Sequence, residues 1–218
     1  MDCNPLRYLA IGDSLTAGIG VPFFEPGFVE YYKGISRQIL KRPIPYQKYA
    51  RPGATTEDIL TMLHSPIVME AVSHANIITI TAGGNDLINA AKGFITNTNA
   101  ESVAQAIQQS RDHYLKILER LHHLDKQEHY IIRLTNLYNP FPDIPIAEAG
   151  IKEYNSMIAS FNSENNVKVA DIFSIFKGKE KALLSHGGIH PNGEGYYQMA
   201  LAISRLGYSP LEICQGEN

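Results

Sequence analysis

Strand-like runs alternate with helix-like stretches along most of the chain, and this alternation restricts the possible folds more than any other feature. Short runs rich in β-branched residues lie at 7–13, 46–50, 76–82, 130–135 and 167–171. Three of them are almost continuously apolar, as is typical of strands covered on both faces. Helical patterns follow at about 28–41, 56–64, 101–124, 147–163, 172–184 and 193–206. Because repeated strand–helix units need right-handed crossovers, we expect a parallel, doubly wound α/β sheet.

Length and composition favour one folded domain over residues 1–218 and exclude several classes of protein. Apolar residues make up 44% of the chain, charged residues make up 19%, and the formal net charge is −3. This composition argues against disorder and gives no electrostatic reason to expect a nucleic-acid partner. The chain contains neither a signal-peptide pattern nor an apolar stretch of transmembrane length, so we predict a cytoplasmic protein without a transmembrane segment. Cys3 and Cys214 could be surface thiols, core residues or a pair.

The sequence predicts neither a cofactor nor a metal ion. The glycines at 18–20 are followed by Phe23 where a dinucleotide fingerprint requires its third glycine. His186 and His190 are four residues apart, but they flank a Gly-Gly step and no cysteine or acidic cluster lies nearby to complete a metal site. The expected binding partner is therefore a small molecule, and the oligomeric state is left open.

Three groups suited to one reaction follow the first three predicted strands. Ser14 follows the first strand in "GDSLTAG", Gly53 follows the second in "ARPGATT", and Asn85 follows the third in "TAGGNDL". The carboxyl ends of parallel strands meet at the edge where open α/β sheets bind ligands, so we expect these residues to lie close together. His190, in the His-Pro loop after the fifth strand, is the candidate base.

These groups are the ones that acyl transfer needs. A serine hydroxyl becomes a good nucleophile when an imidazole takes its proton, and the tetrahedral intermediate needs donors aimed at its oxyanion. Taken singly, Ser14 could be a helix cap, Gly53 a turn glycine and Asn85 the start of a helix. Their occurrence in order at successive strand ends, followed by His190, favours catalysis. We expect Asp13 to brace the turn at Ser14 by hydrogen bonds.

Four sequence blocks resemble, in order and spacing, those of the SGNH or GDSL hydrolase superfamily of esterases and lipases. The blocks are "GDSL" at 12–15, "PGATT" around Gly53, "GGND" at 83–86 and "HPNGEGY" at 190–196. By this resemblance Ser14 is the nucleophile, His190 is the base, and Gly53 and Asn85 complete the oxyanion hole with the Ser14 amide. The resemblance also implies a three-layer α/β/α flavodoxin-like sandwich with a five-stranded parallel sheet in the order 2-1-3-4-5.

One position departs from the family pattern. The family's last block usually has an aspartate three residues before the histidine, and this chain has Gly187 there. Our first hypothesis is a Ser14–His190 dyad in which a backbone carbonyl of the 185–188 loop accepts the Nδ1 hydrogen of His190. The alternative recruits a distant acid, Asp171 or Glu194, although a strand-end cap and a solvent-exposed position are the simpler interpretations of these two residues.

The substrate has to be inferred from the loops. The segments 21–32 and 137–145 follow the first and fourth strands and are rich in aromatic residues and proline. An apolar acyl chain fits such loops better than a sugar does, so short- to medium-chain carboxylic esters are favoured, with lysophospholipids and thioesters as candidates. The aromatic residues could instead only pack the loops. A carbohydrate O-acetyl esterase and a degenerate hydrolase that binds esters without turnover are the alternatives.

Overall fold

A five-stranded parallel sheet forms the centre of the protein in the computed structural model, which describes residues 4–97, 101–123, 129–163, 166–186, 188–211 and 213–214. The strands are β1 (Tyr8–Gly12), β2 (Tyr46–Ala50), β3 (Ile77–Thr81), β4 (Ile131–Thr135) and β5 (Val167–Ala170). Their order in the sheet is β2-β1-β3-β4-β5, and every neighbouring pair is parallel. The predicted strand positions, direction and order are confirmed.

Helices connect the strands. In chain order they are α1 (Ser14–Ala17), α2 (Phe28–Leu40), α3 (Thr56–Met62), α4 (Pro66–His74), α5 (Gly84–Asn97), α6 (Glu101–His122), α7 (Pro145–Ala159), α8 (Phe173–Phe176), α9 (Glu180–Leu183) and α10 (Gly193–Arg205). A 3₁₀ turn over Ser160–Ser163 continues α7. Among the described residues, none of these helices is long and apolar enough to cross a membrane.

Helices cover both faces of the sheet, which confirms the three-layer sandwich. One buried cluster joins β-strand side chains to Ile59 of α3, Val72 of α4 and Ile117 of α6. The cluster on the opposite face includes Val29 of α2 and Met199 of α10. Since both faces of the central strands are covered, β1, β3 and β4 are buried along their whole length rather than alternately buried and exposed.

Three of the described helices lie outside the predicted helical stretches, and one predicted stretch contains two separate helices. The sequence pattern missed α1, α4 and α5; α5 begins at a Gly-Gly step that resembles a bend rather than a helix start. The stretch predicted as one helix near 172–184 is divided into α8 and α9 at Gly178, whose φ is +75°. A left-handed residue cannot continue an α-helix, so the chain turns there.

The C-terminal part of the described chain is fastened to α2. The backbone N–H of Cys214 donates to the carbonyl of Leu40 at 2.9 Å. Cys214 is also disulfide-bonded, whereas Cys3, the other cysteine of the chain, lies outside the described residues. Of the three interpretations that the sequence left open for Cys214, pairing is therefore the one found.

Candidate active site

Three strand ends lie level with one another at the carboxyl edge of the sheet. Gly12 of β1 is in register with Ala50 of β2 on one side and with Thr81 of β3 on the other. The backbone N–H of Arg51 donates to Gly12 at 3.0 Å, and that of Asp13 donates to Thr81 at 3.2 Å, which extends the alignment by one residue. The loops that start here therefore leave the sheet side by side.

Ser14 is the first residue of α1, directly after β1. Asp13 caps this helix: one oxygen of its carboxylate accepts the Leu15 N–H at 2.9 Å and the Thr81 hydroxyl at 2.8 Å. Asp13 is almost fully buried, and this burial raises its pKa to about 6. Asp13 therefore braces the turn that presents Ser14, as the sequence predicts, and within the described residues its carboxylate makes no hydrogen bond to His190.

His190 is held beside Ser14 by a short antiparallel pairing. The backbone N–H of Ser185 donates to the carbonyl of His190 at 2.8 Å, and that of Asn192 donates to Leu183 at 2.9 Å. The Asn192 side chain then caps α10 by accepting the Gly195 N–H at 2.9 Å. This arrangement leaves Nε2 of His190 2.9 Å from Oγ of Ser14. The ring is half-buried, and desolvation lowers the pKa of His190 below its usual 6.5.

Gly53 lies on the loop after β2, and this loop contacts Asn85 in the first turn of α5. Gly53 occupies a tight turn closed by a hydrogen bond from the Ala54 N–H to the Arg51 carbonyl at 3.0 Å, and its φ of +82° favours glycine. The Asn85 side-chain amide donates to the Ala54 carbonyl at 2.9 Å. An amide carries two hydrogens, so this bond fixes the orientation of Asn85 and leaves one donor free for a ligand.

The group that orients the second nitrogen of His190 stays a prediction. Gly187, at the position of the usual acid, lies outside the described residues. Within the described part of the chain, no carboxylate is hydrogen-bonded to Nδ1 of His190. Asp171 accepts instead from the Asn136 amide and from the Ser174 hydroxyl, and Glu194 is exposed and accepts from Gln198. Both distant acids therefore have the other roles that the sequence favoured for them.

No metal centre is found within the described residues. They contain no group of three or more histidine, cysteine, aspartate and glutamate side chains that could hold an ion. His186 is exposed, whereas His190 is half-buried against Ser14. The two histidines of the "HGGIH" segment thus have different surroundings.

Comparison with known proteins identifies the family. The model of the GDSL-like lipase and acylhydrolase family matches residues 10–198. The chain belongs to this family. It is an ester hydrolase of the GDSL lipase and acylhydrolase type. The spore germination lipase LipC of Bacillus licheniformis is 37% identical to it over 209 residues, which cover 95% of this chain and 99% of that one.

Solved structures of a lipase and of an acetylxylan esterase share the fold. The lipase Lip_vut3 from a goat rumen metagenome superposes with a TM-score of 0.91 at 37% identity, covering 95% of this chain and 100% of that chain. The acetylxylan esterase Axe2 of Geobacillus stearothermophilus superposes with a TM-score of 0.71 at 18% identity, covering 97% of each chain. At that identity, the similarity to Axe2 concerns the fold alone.

One part of this GDSL-like site was missed by the sequence analysis. Asp86, next to Asn85, accepts hydrogen bonds from the Thr56 backbone N–H at 3.0 Å and from the Thr56 hydroxyl at 2.6 Å. The nitrogen Nδ1 of His113 lies 2.8 Å from the same hydroxyl. Asp86 therefore joins the start of α5, which contains Asn85, to the start of α3, which follows Gly53. The "PGATT" block contains Thr56 and the "GGND" block contains Asp86, but nothing in either block indicates that the two residues meet.

Proposed function

We propose that this GDSL-like hydrolase cleaves short- to medium-chain carboxylic esters through an acyl-enzyme on Ser14, with His190 as the base. The observation that carries the proposal is the 2.9 Å distance between Nε2 of His190 and Oγ of Ser14. That distance is within hydrogen-bonding reach for proton transfer. The lowered pKa of His190 supports it further, because the neutral imidazole that accepts a proton is then the main form at pH 7.

The reaction follows the chemistry of serine acyl transfer. His190 takes the hydroxyl proton as Oγ of Ser14 attacks the ester carbonyl, and the resulting imidazolium then protonates the leaving alkoxide. A water molecule, deprotonated by the same imidazole, releases the acid and restores Ser14. The backbone N–H groups of Ser14 and Gly53 and the free amide hydrogen of Asn85 are the proposed donors to the oxyanion in both steps.

The dyad is proposed to work without a carboxylate. The imidazolium that forms in each step would be stabilised less by a backbone carbonyl of the 185–188 loop than by an aspartate. In serine protease triads, disabling the aspartate costs roughly 10⁴ in turnover, largely because the imidazole adopts the wrong tautomer. A carbonyl acceptor on Nδ1 selects the right tautomer, since it can only accept the Nδ1 hydrogen and so leaves Nε2 free to take the proton of Ser14.

The favoured acyl group is apolar, and we propose lysophospholipids and thioesters among the candidate substrates. Apolar side chains are exposed on the loops after β1 and β4, and the bases of both loops contact the segment that carries His190. The relative LipC is named a spore germination lipase. A carbohydrate O-acetyl esterase, the activity in the name of Axe2, is the second candidate.

We keep a single hydrolase domain over residues 1–218 and a cytoplasmic location as proposals. The disulfide bond of Cys214 points away from the cytoplasm, since disulfides are rare in reducing compartments. Thiol labelling in cells that express the protein natively tests the cytoplasmic location: labelling of Cys214 without prior reduction is expected in the cytoplasm, and labelling only after reduction would contradict that location.

A fluorophosphonate probe tests the nucleophile separately from any choice of substrate. The probe reacts with serines that a neighbouring base activates, and an inert serine stays unlabelled. We expect one labelled peptide, containing Ser14, and loss of the label when His190 is replaced by alanine. An unlabelled protein that still binds esters would support the degenerate hydrolase instead.

A further inference from the structure

The segment between α1 and α2 forms a loop, residues 18–27, that is anchored against the catalytic histidine. Gly20, with a φ of +113°, packs so closely that an added Cβ would lie 2.9 Å from Cβ of His190. The Tyr196 hydroxyl donates to the Ile19 carbonyl at 2.6 Å and fixes the same part of the loop to α10. We call residues 18–27 the aromatic loop. Its base is thus held in place beside the site.

The tip of the aromatic loop projects two phenyl rings into solvent. Phe23 is fully exposed, and the side chain of Phe24 is 85% exposed. Single exposed apolar residues are common on protein surfaces, but two consecutive, exposed aromatic residues at the edge of an active site are typical of an interaction surface. Aromatic side chains are also well suited to the boundary between water and an apolar phase.

A second segment near His190 also exposes apolar side chains. Residues 139–147 comprise the loop after β4 and the first turn of α7, and Phe141, Ile144 and Ile146 are exposed there. The Tyr138 hydroxyl just before this loop donates to the carbonyl of Ile189 at 2.6 Å. The aromatic loop thus contacts His190 itself, and the residue before the second segment contacts Ile189, so both segments start beside the stretch that carries His190.

The charge of the two loops restricts what they can bind. Residues 18–27 and 139–147 contain no lysine or arginine, and their charged residues are Glu25 and Asp143. An acidic, aromatic surface repels anionic lipids, which basic patches attract. It complements the quaternary ammonium group at the outside of a choline headgroup, because carboxylates attract that cation and aromatic faces bind it by cation–π contact.

We propose that Phe23 and Phe24 insert into the surface of a zwitterionic phosphatidylcholine aggregate and hold the active site against it. The inference rests on the proposed function, since the bound lipid surface would present the ester that Ser14 attacks. Docking through the aromatic loop would bring the Ser14–His190 pair to the headgroup level, so that a lipid would move only a short distance into the site. Esters free in solution would not need the two phenyl rings.

The test compares a Phe23→Ser/Phe24→Ser variant with the wild type and with an Ile67→Ser control. Ile67 is another exposed apolar side chain, but it lies on α4 away from both loops. Binding is measured by co-sedimentation with phosphatidylcholine vesicles, and catalysis with p-nitrophenyl acetate in solution. We expect the double variant to bind vesicles about tenfold or more weakly while its kcat/KM for the soluble ester stays within about twofold of wild type. The control should match the wild type in both measurements.

Three outcomes would overturn the inference. Equal vesicle binding by the wild type and the double variant would show that the two rings do not dock. Tighter binding to phosphatidylglycerol than to phosphatidylcholine vesicles would contradict the charge argument. Sedimentation of the wild type as a dimer that the double variant loses, without vesicle binding, would assign the surface to a second copy of the chain. Failure of every protein to cleave the soluble ester would instead refute the proposed function, because vesicle binding is measured independently.

Discussion

The carboxylate of Asp86 accepts two hydrogen bonds from Thr56, at 3.0 Å from its backbone nitrogen and 2.6 Å from its hydroxyl, across 30 positions of sequence. Thr56 is fully buried, so its N–H depends on this carboxylate for its hydrogen bond. The pair also ties the helix that follows Gly53 to the helix that contains Asn85. The distance between the two proposed oxyanion donors therefore depends on this contact.

Replacing Asp86 by alanine should reduce both stability and turnover. An unsatisfied buried N–H costs about 1–3 kcal/mol in the free energy of unfolding. We expect kcat to fall by about tenfold or more with little change in KM, since displacing a catalytic group by about 1 Å can cost 10²-fold. Asp112→Ala, at an exposed aspartate of α6, is the matched control. An Asp86→Ala protein that is folded and keeps wild-type kcat would show that the contact does not position the donors.

Replacing Asn85 by alanine should remove one oxyanion donor. The loss of such a donor typically lowers kcat by about 10²–10³, and we expect a decrease of this size with p-nitrophenyl butyrate. Asn89, one turn further along α5 and exposed, provides the control Asn89→Ala, which should have wild-type kinetics. Equal activity of the two variants would remove Asn85 from the proposed oxyanion hole.

The buried carboxyl of Asp13 should make stability depend on pH. Its pKa is raised by burial from 3.8 to about 6, so between these values the unfolded chain has lost the proton while the folded protein keeps it. The free energy of unfolding should therefore fall as pH rises from about 4 to 6, by about 3 kcal/mol, because one pKa unit corresponds to about 1.4 kcal/mol. Asp13→Asn keeps an oxygen for the Leu15 and Thr81 donors and should lose most of this dependence in denaturant titrations. If the free energy of unfolding has the same pH dependence in the wild type and in Asp13→Asn, the pKa of Asp13 is not raised by burial.

The pH profile of kcat/KM should report His190 in the free enzyme. Only the neutral ring can accept a proton, and burial lowers the pKa of His190, so activity should persist to below pH 6.5 before it declines in acid. Gly187→Asp would supply a carboxylate that favours the imidazolium, and its acid limb should move to higher pH with activity kept or increased. If Gly187→Asp instead loses activity and its acid limb does not shift, the backbone geometry of the 185–188 loop is critical.

The sequence predicted the parts of the fold and site that depend on local pattern. The β3 run Ile77–Thr81 consists of β-branched isoleucine and threonine and is buried on both faces, so the strand could be recognised from its own residues. The carboxyl-edge rule for parallel sheets then predicted that Ser14, Gly53 and Asn85 would lie together. The start of α5 was missed because a Gly-Gly step has weak helix propensity, and its position is set by tertiary contacts. The Asp86–Thr56 contact joins residues 30 positions apart, and no local pattern specifies such a pair.

The exposed aromatic residues show a different limit. The sequence indicates that Phe23 and Phe24 follow the nucleophile, and it is equally consistent with rings that pack the loop onto the core. Their exposure depends on how Gly20 and Ile19 fasten the base of the loop to His190 and Tyr196, which are more than 150 residues away along the chain. Such contacts follow from the assembled fold.

The most direct test of the central claim is hydrolysis of p-nitrophenyl esters from acetate to decanoate by the wild type and by Ser14→Ala. If Ser14 forms an acyl-enzyme with His190 as base, the wild type should turn over, with a preference for short to medium chains, and the variant should lose at least about 10³ of kcat. An optimum at acetate would favour the O-acetyl esterase. Wild-type turnover equal to that of Ser14→Ala would contradict the assignment of Ser14 as the nucleophile.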